Sequence, residues 1–364
     1  MRRATAAFLL SMLVMAGCGV NGDDDLTATD GPATTQAPPP EPAPATADLL
    51  DAVVARGELN CGVNEILPGF GYKDSEGVFI GFDVDLCRAV AAAILGDAQA
   101  VRYRSLNSAT RFEAVNSGLI DLLSRNTTWT QSRDTDLGLD FGPTTYYDGQ
   151  QLMAKGAAGF HSMSTLEDIE GAVVCANAGT TTEKNISEAA AAAGVNITLN
   201  TFEDANIVLE NFSSGACDVM TGDGSALVSR KATEGAAGED WVIFPPVPIS
   251  KEPLGPVWIQ NQSRFGDVVT WTVFAMLIAE EKGITSSNVD DMLNVDGEAS
   301  RLFGATEDEL QTKMGLPADA FYQVILQVGN YGEVYDRHLT PLALERGLNA
   351  LYTDGGLHYA PPAR

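Results

Sequence analysis

The octet SGLIDLLS, Ser117 to Ser124, returns as SGACDVMT, Ser214 to Thr221. Both read Ser-Gly-x-x-Asp, then two apolar residues, then a hydroxyl. Each follows an apolar-periodic helical stretch, TRFEAVN before the first and ANIVLENF before the second. Each glycine stands where a helix C-cap belongs, and each short apolar run reads as a buried parallel strand. The order strand, helix, strand, helix, strand surrounds both copies. The chain therefore reads as two α/β lobes of similar build.

The first lobe is expected over residues 48–147. VVARGELNCGVN gives a helix end and a first strand, VFIGFDVDLCRAVAAAIL a short strand and a long helix, and AVRYRSL another strand. The second lobe is expected over residues 148–246, with LMAKG, GAVVCANAG and ITLNTF as strands and TTTEKNISEAAAAAG as a helix. Tyr146 to Leu152 and Ile243 to Val257 are the candidate hinge strands. Residues 247–364 are expected to return to the first lobe as a helical extension that wraps it. DVVTWTVFAMLIAEEKG, ATEDELQTKMG and PLALERGLNALYTDGG supply the helices. The longest apolar run, Val268 to Ala279, is about half the length a membrane span needs, so a buried helix is expected.

Charge narrows the function. Lys+Arg number 22 against 49 Asp+Glu in 364 residues, a formal charge of -27. Nucleic-acid binding rests on Lys and Arg neutralising phosphates, and no such surplus exists. The N-terminus, MRRATAAFLLSMLVMAGCG, has a basic start, an apolar segment too short to span a bilayer, and small residues before Cys18. It resembles the bacterial lipoprotein signal, with Met15 where a leucine is usual. Residues 1–17 are then the signal, Cys18 is lipidated, and the protein is anchored outside the cytoplasm. A plain secretory signal is the alternative. Through Ala47 the chain is rich in Pro, Thr, Ala and Asp, the composition of an extended spacer.

Four further cysteines remain. Spacing alone does not pair them, since four thiols allow three pairings. Leu59, Cys61 and Val63 alternate onto one strand face, while Val84, Cys87, Ala91, Ile94 and Leu95 form one helical stripe. Cys61 and Cys87 thus point at one core. Cys175 closes an apolar strand and Cys217 precedes another. The expected pairs are Cys61–Cys87 and Cys175–Cys217. No metal or other cofactor is expected: there is no CxxC, and His161, His338 and His358 lie far from the cysteines in sequence.

In open α/β sheets ligands bind beyond the carboxyl ends of strands. After the first repeat's strand come Asn126, Thr128 and Arg133; after the second comes Asp223. Gly179, Thr180 and Thr181 open a helix after GAVVC. Arg133 offers a planar fork for a carboxylate, the helix start favours negative charge, and Asp223 suits an ammonium. Together they read as a clamp for an α-amino acid. Each group also has a plainer reading. Arg133 pairs with Asp134 or Asp136 on a surface loop, Asp223 is a turn residue, and Thr180 with Glu183 is a capping box.

The motifs GFDVDLCRAV, SRNTTWTQSRDTDLGLDFG, AGTTTE and GACDVMTGD resemble the polar amino-acid binding proteins of ABC transporters, solute-binding protein family 3. CGVN, RNTTWT, YYDGQ, GNYGEVYDR and GLNALYTDGGLHYAPP are similar to the general L-amino-acid binding proteins among them. The resemblance implies a two-lobed periplasmic-binding-protein-like (type II) fold with a hinge and an interlobe ligand cleft. It implies capture of an L-amino acid by hinge closure and delivery to ABC permease subunits by a monomeric, non-enzymatic protein. Arg133 matches the arginine that holds the α-carboxylate, with Asn126, Thr128, Gly179, Thr180 and Thr181 around it. Asp223 matches the aspartate that takes the α-ammonium. Leu67 stands where histidine- and lysine-type relatives carry an aromatic ring, which leaves Phe70 and Trp129 as apolar walls; Asn64 completes the expected lining. A lyase on the same fold, of the cyclohexadienyl dehydratase kind, is the alternative, and it needs a positioned acid or base that these motifs do not offer beyond Asp223.

Overall fold

The computed structural model describes residues 48–293, 297–304 and 310–364. The expected leader, Cys18 and the spacer lie outside the described residues. Two five-stranded sheets carry the fold. In one, Leu59–Val63 runs parallel between Val101–Ser105 and Leu122–Leu123, and Val257–Ile259 and Leu139–Phe141 extend it with Val257–Ile259 antiparallel to both its neighbours. In the other, Val173–Asn177 runs parallel between Thr198–Phe202 and Val219–Asp223, and Gln150–Lys155 and Trp241–Phe244 extend it. The two sheets follow one plan, as the repeated octet implies.

The repeat has a local physical cause. Asp121 donates its backbone N–H to the Asn60 carbonyl at 2.9 Å, and its carboxylate accepts the Asn60 N–H at 2.7 Å. Asp218 does the same to Val173, at 2.9 Å and 2.8 Å. In each lobe this aspartate clasps both backbone groups of one residue at the start of the neighbouring strand and so sets the parallel register. Gly118 and Gly215, at φ +70° and +83°, end the preceding helices in the left-handed region that favours glycine.

Both expected disulfides form. Cys61–Cys87 ties the first strand to the helix Phe82–Leu95, and Cys175–Cys217 ties the middle of the strand Val173–Asn177 to the segment just before Val219–Asp223. At sequence separations of 26 and 42, each stabilises by about 3–4 kcal/mol in the chain-entropy treatment. The helix Ser263–Glu281 is buried along Phe265, Val269, Val273 and Met276 in the same core as Val84, Val90 and Ile94, as expected for Val268 to Ala279. Among the described residues no helix is long and apolar enough to cross a membrane. PLALERGLNALYTDGG, expected as a helix, is instead three short 3₁₀ turns, Thr340–Leu342, Gly347–Asn349 and Tyr352–Asp354. Pro341 lacks an N–H, and Ala343, Gly347 and Gly355 all sit at positive φ, which no α-helix continues.

The two crossing segments pair as a short antiparallel ribbon, Tyr146–Asp148 with Glu252–Leu254, in the register Glu252 to Asp148 and Leu254 to Tyr146. Tyr147 faces Pro253, which has no N–H to give. The Tyr147 backbone groups point outward, where the Asn349 side chain meets both. Its Oδ1 accepts the Tyr147 N–H at 2.6 Å and its Nδ2 donates to the Tyr147 carbonyl at 3.1 Å. On the ribbon's other side Trp129 N–H donates to the Pro253 carbonyl at 2.8 Å, and Gly255 N–H to the Thr127 carbonyl at 3.0 Å. Asn349→Ala should leave two backbone groups of the ribbon unpaired and lower stability by about 1–3 kcal/mol. Urea denaturation checks this; an unshifted midpoint would show that water replaces the amide.

Candidate functional site

The strand ends of both sheets converge on one cavity between the lobes. Its volume is about 100 Å³, against the roughly 10–15 Å³ one water needs, so it admits a small molecule. Asn64, Leu67, Asn126 and Thr128 line it from the first lobe, and Thr180, Thr181 and Asp223 from the second. The lobes touch across it. Ser108 Oγ donates to Asn177 Oδ1 at 2.7 Å, Thr128 and Thr181 hydroxyls stand 3.4 Å apart, and Ser229 Oγ donates to the Pro68 carbonyl at 2.7 Å.

Asn126 and Asp223 occupy equivalent places in the two copies of the octet, each five residues beyond its aspartate (121 to 126, 218 to 223). They face one another across the cavity, and the Asn126 amide draws the Asp223 carboxyl pKa down against the larger upward push of burial. Asn126 has φ +28°, uncommon outside glycine. The buried Asp83 holds it there by accepting its N–H at 2.7 Å, and burial pushes the Asp83 carboxyl up to about 7. Asn64 Nδ2 donates to Asn126 Oδ1 at 3.3 Å. Asp223 itself is buried, and desolvation, then Asp148 and Glu252, push its carboxyl well above the ordinary range.

Thr180 caps the helix Thr181–Ala193 by accepting the Glu183 N–H, and Glu183 accepts the Gly179 N–H at 2.8 Å. The Thr180 half of the expected capping box forms, while Glu183 reaches the N–H one residue earlier, at Gly179; Thr180 and Thr181 line the cavity as well. Thr181 Oγ1 donates to Glu252 Oε2 at 2.8 Å, and Asn185 Nδ2 to Glu252 Oε1 at 2.7 Å. Glu252 belongs to the hinge ribbon, so the second-lobe helix is bonded directly to it.

Other expected residues stand elsewhere. Arg133 is not on a loop but on the short helix Gln131–Asp136, capped by Thr130. It is buried behind the cavity wall, with Nη1 donating to the Thr128 carbonyl at 2.8 Å and its guanidinium 5.1 Å from the Phe112 ring centre. Burial lowers its pKa while Glu252 and Asp223 oppose the shift. Among its described hydrogen bonds none goes to Asp134 or Asp136. Phe70 is core, packed edge-on to Phe82 and Tyr146, and Trp129 is half exposed and stacked on Phe141. Gly179 lies just outside the wall. The apolar wall is instead Leu67, Ala205, Val208, Met220, Ala226 and Leu227.

Sequence reasoning missed three arginines that do line the cavity, Arg111, Arg125 and Arg230. Arg125 is buried, its Nε donates to the Leu106 carbonyl at 2.6 Å, and desolvation lowers its pKa to about 10 against the pull of Asp83 and Asp223. Arg111 shares the buried face of its helix with Ala114 and Val115. An arginine at the first position of such an i, i+3, i+4 stripe was the available signal.

Comparison with known proteins agrees with this architecture. The model of the bacterial extracellular solute-binding proteins, family 3, matches residues 59–340. The glutamate/glutamine/aspartate/asparagine-binding protein BztA of Rhodobacter capsulatus is 45% identical over 326 residues, 88% of this chain and 94% of that protein. The general L-amino acid-binding periplasmic protein AapJ of Rhizobium johnstonii is 44% identical over 325 residues, again 88% and 94%. An ABC transporter periplasmic binding protein from Brucella ovis, solved with glutathione bound, superposes with a TM-score of 0.84 at 43% identity, over 88% of this chain and 100% of that one. With its two like-built lobes, its interlobe cavity and these matches, the chain belongs to the bacterial extracellular solute-binding proteins of family 3.

Proposed function

We propose that the protein is the extracytoplasmic binding component of an ABC importer that captures L-amino acids by closing its lobes and hands them to a permease. One observation carries this: an interlobe cavity that sets a buried acid from one lobe, Asp223, against Asn126 and Thr128 from the other. The ligand's ammonium sits on Asp223 and Asn126. Its carboxylate faces the Thr128 and Thr181 hydroxyls, with Arg133 behind Thr128 supplying the positive charge. Both halves are satisfied only when the lobes are together, so the ligand biases the closed state by its differential affinity. The lobes are assigned as 48–147 with 247–364, and 148–246. Cys18 carries a lipid anchor, residues 18–47 form the tether, and the protein acts as a monomer without turnover. Among the described residues, none of those lining the cavity is a histidine.

A second reading has its own observation. An outer cavity of about 670 Å³ shares the walls Asn64, Arg125, Asn177 and Ala205 with the inner one. A γ-glutamyl peptide such as glutathione, the ligand of the Brucella ovis structure, would place its amino-acid head inside and its remainder there.

A thermal-shift screen of the twenty L-amino acids and glutathione on residues 48–364 tests the proposal. Ligand at 100 times its Kd stabilises by about 2.7 kcal/mol, and a screen with no responder would end it. Arg133→Ala should weaken amino-acid binding by about 2–5 kcal/mol; unchanged affinity by calorimetry would remove its role. Asp223 supplies a pH signature. Its carboxyl is raised, so toward acid pH it is protonated in the empty site, whereas a bound ammonium favours the ionised form. Affinity should fall as pH falls, with protons released on binding, as calorimetry in buffers of different ionisation enthalpy reads. Binding without proton exchange anywhere in that range would remove the ammonium from Asp223.

A further inference from the structure

The proposed reading places one charge at each end of an α-amino acid and leaves a buried cation over. Arg111 lines the cavity, is 3% exposed, and its guanidinium lies 4.8 Å from the Phe112 ring centre. Its one described side-chain hydrogen bond is long, Nη1 to Thr127 Oγ1 at 3.4 Å. Its Nε is buried without a partner. The neighbouring cations each feel an acid other than Asp223. Arg125 faces Asp83, Arg133 faces Glu252, and Arg230, at the same cavity, faces Glu234 and Asp204. Arg111 faces two other guanidiniums first and Asp223 last, and burial and these like charges pull its pKa well down. Asp223 acts on Arg125 and Arg133 too, and in the proposed complex it is engaged by the ammonium.

Buried charges in folded proteins are paired or hold a ligand. A zwitterion whose carboxylate faces Thr128 and Thr181 brings no anion to Arg111. A guanidinium fork with N–H groups left unpaired at a cavity wall matches a carboxylate bidentately. We infer that Arg111 receives a second carboxylate, carried on the ligand's side chain, so that the site selects acidic L-amino acids over neutral ones. This rests on the amino-acid reading above, and Arg111 becomes the specificity-determining residue of the same site.

Calorimetry with L-glutamate, L-aspartate and their amides, L-glutamine and L-asparagine, tests it on the unaltered protein and on Arg111→Met and Arg111→Lys. The acid is expected to bind tenfold or more tighter than its amide. Arg111→Met should cut that ratio at least tenfold, with the amides losing much less than the acids. Arg111→Lys, which keeps the charge and loses the fork, should fall between. An unaltered protein that binds amides as well as acids overturns the inference even if neither variant folds. Equal losses for acid and amide in Arg111→Met also overturn it, because Arg111 would then hold the α-carboxylate or the wall itself; the importer reading survives both results. No binding of any amino acid by the unaltered protein removes the two together.

Discussion

The hinge strand Glu252–Leu254 is the structural element on which both halves of the site depend. Its first residue takes hydrogen bonds from Thr181, Asn185 and Ser250. Its last bridges to Thr128, and the Pro253 carbonyl between them accepts the Trp129 N–H. The helix start of one lobe, through Glu252, and the cavity-lining segment of the other, through Pro253 and Leu254, are thus bonded to adjacent residues of one strand. Proline at the centre gives the strand no N–H there, so its pairing is one-sided, and Asn349 completes the far side of the ribbon. Relative motion of the lobes has to pass through this segment. In the proposed complex, Thr181 reaches this strand through its side chain and Thr128 through the backbone bonds of its neighbours Thr127 and Trp129.

Electrostatics inside the cleft run against those of the whole chain. The formal charge of -27 belongs to the surface, where it keeps the protein soluble and repels like particles. Around the cavity the order reverses, with Arg111, Arg125 and Arg230 in the wall and Arg133 behind it. The acids there are held by dedicated donors. Asp148, directly opposite Glu252 in the ribbon, accepts from Gly149 N–H and from Ser225, yet burial still pushes it up to about 6. Two buried carboxylates in register repel one another. Each therefore draws donors of its own, and those donors lie largely on the second lobe, which ties that lobe to the ribbon.

What could be read from the residues follows from how local each cause is. The octet was legible because its aspartate acts on the next strand through two backbone bonds, and a short motif contains that whole device. The cysteines paired legibly in the first lobe because strand and helix periods both pointed them inward. Asp223, Asn126, Thr128 and Thr181 were reached from strand order alone. Arg111 was not, because its helix read as ordinary packing and nothing in TRFEAVN says that the buried face opens on a cavity rather than a core. Phe70 was misplaced for the converse reason: it follows the first strand like a site residue, but Phe82 and Tyr146 close over it.

The equivalence of Asn126 and Asp223 shows how a duplicated frame becomes an asymmetric site. The same strand-end position carries an amide in one lobe and a carboxyl in the other, and the two face one another across the cavity. Two carboxyls there would repel at close range, and two amides would supply no charge for an ammonium. The amide is also the one held in an uncommon backbone conformation, through Asp83 at the start of the helix Phe82–Leu95. That helix is the one joined to the first strand by Cys61–Cys87. The disulfide thus braces the helix that orients Asn126, and through Asn126 the first-lobe side of the cavity facing Asp223.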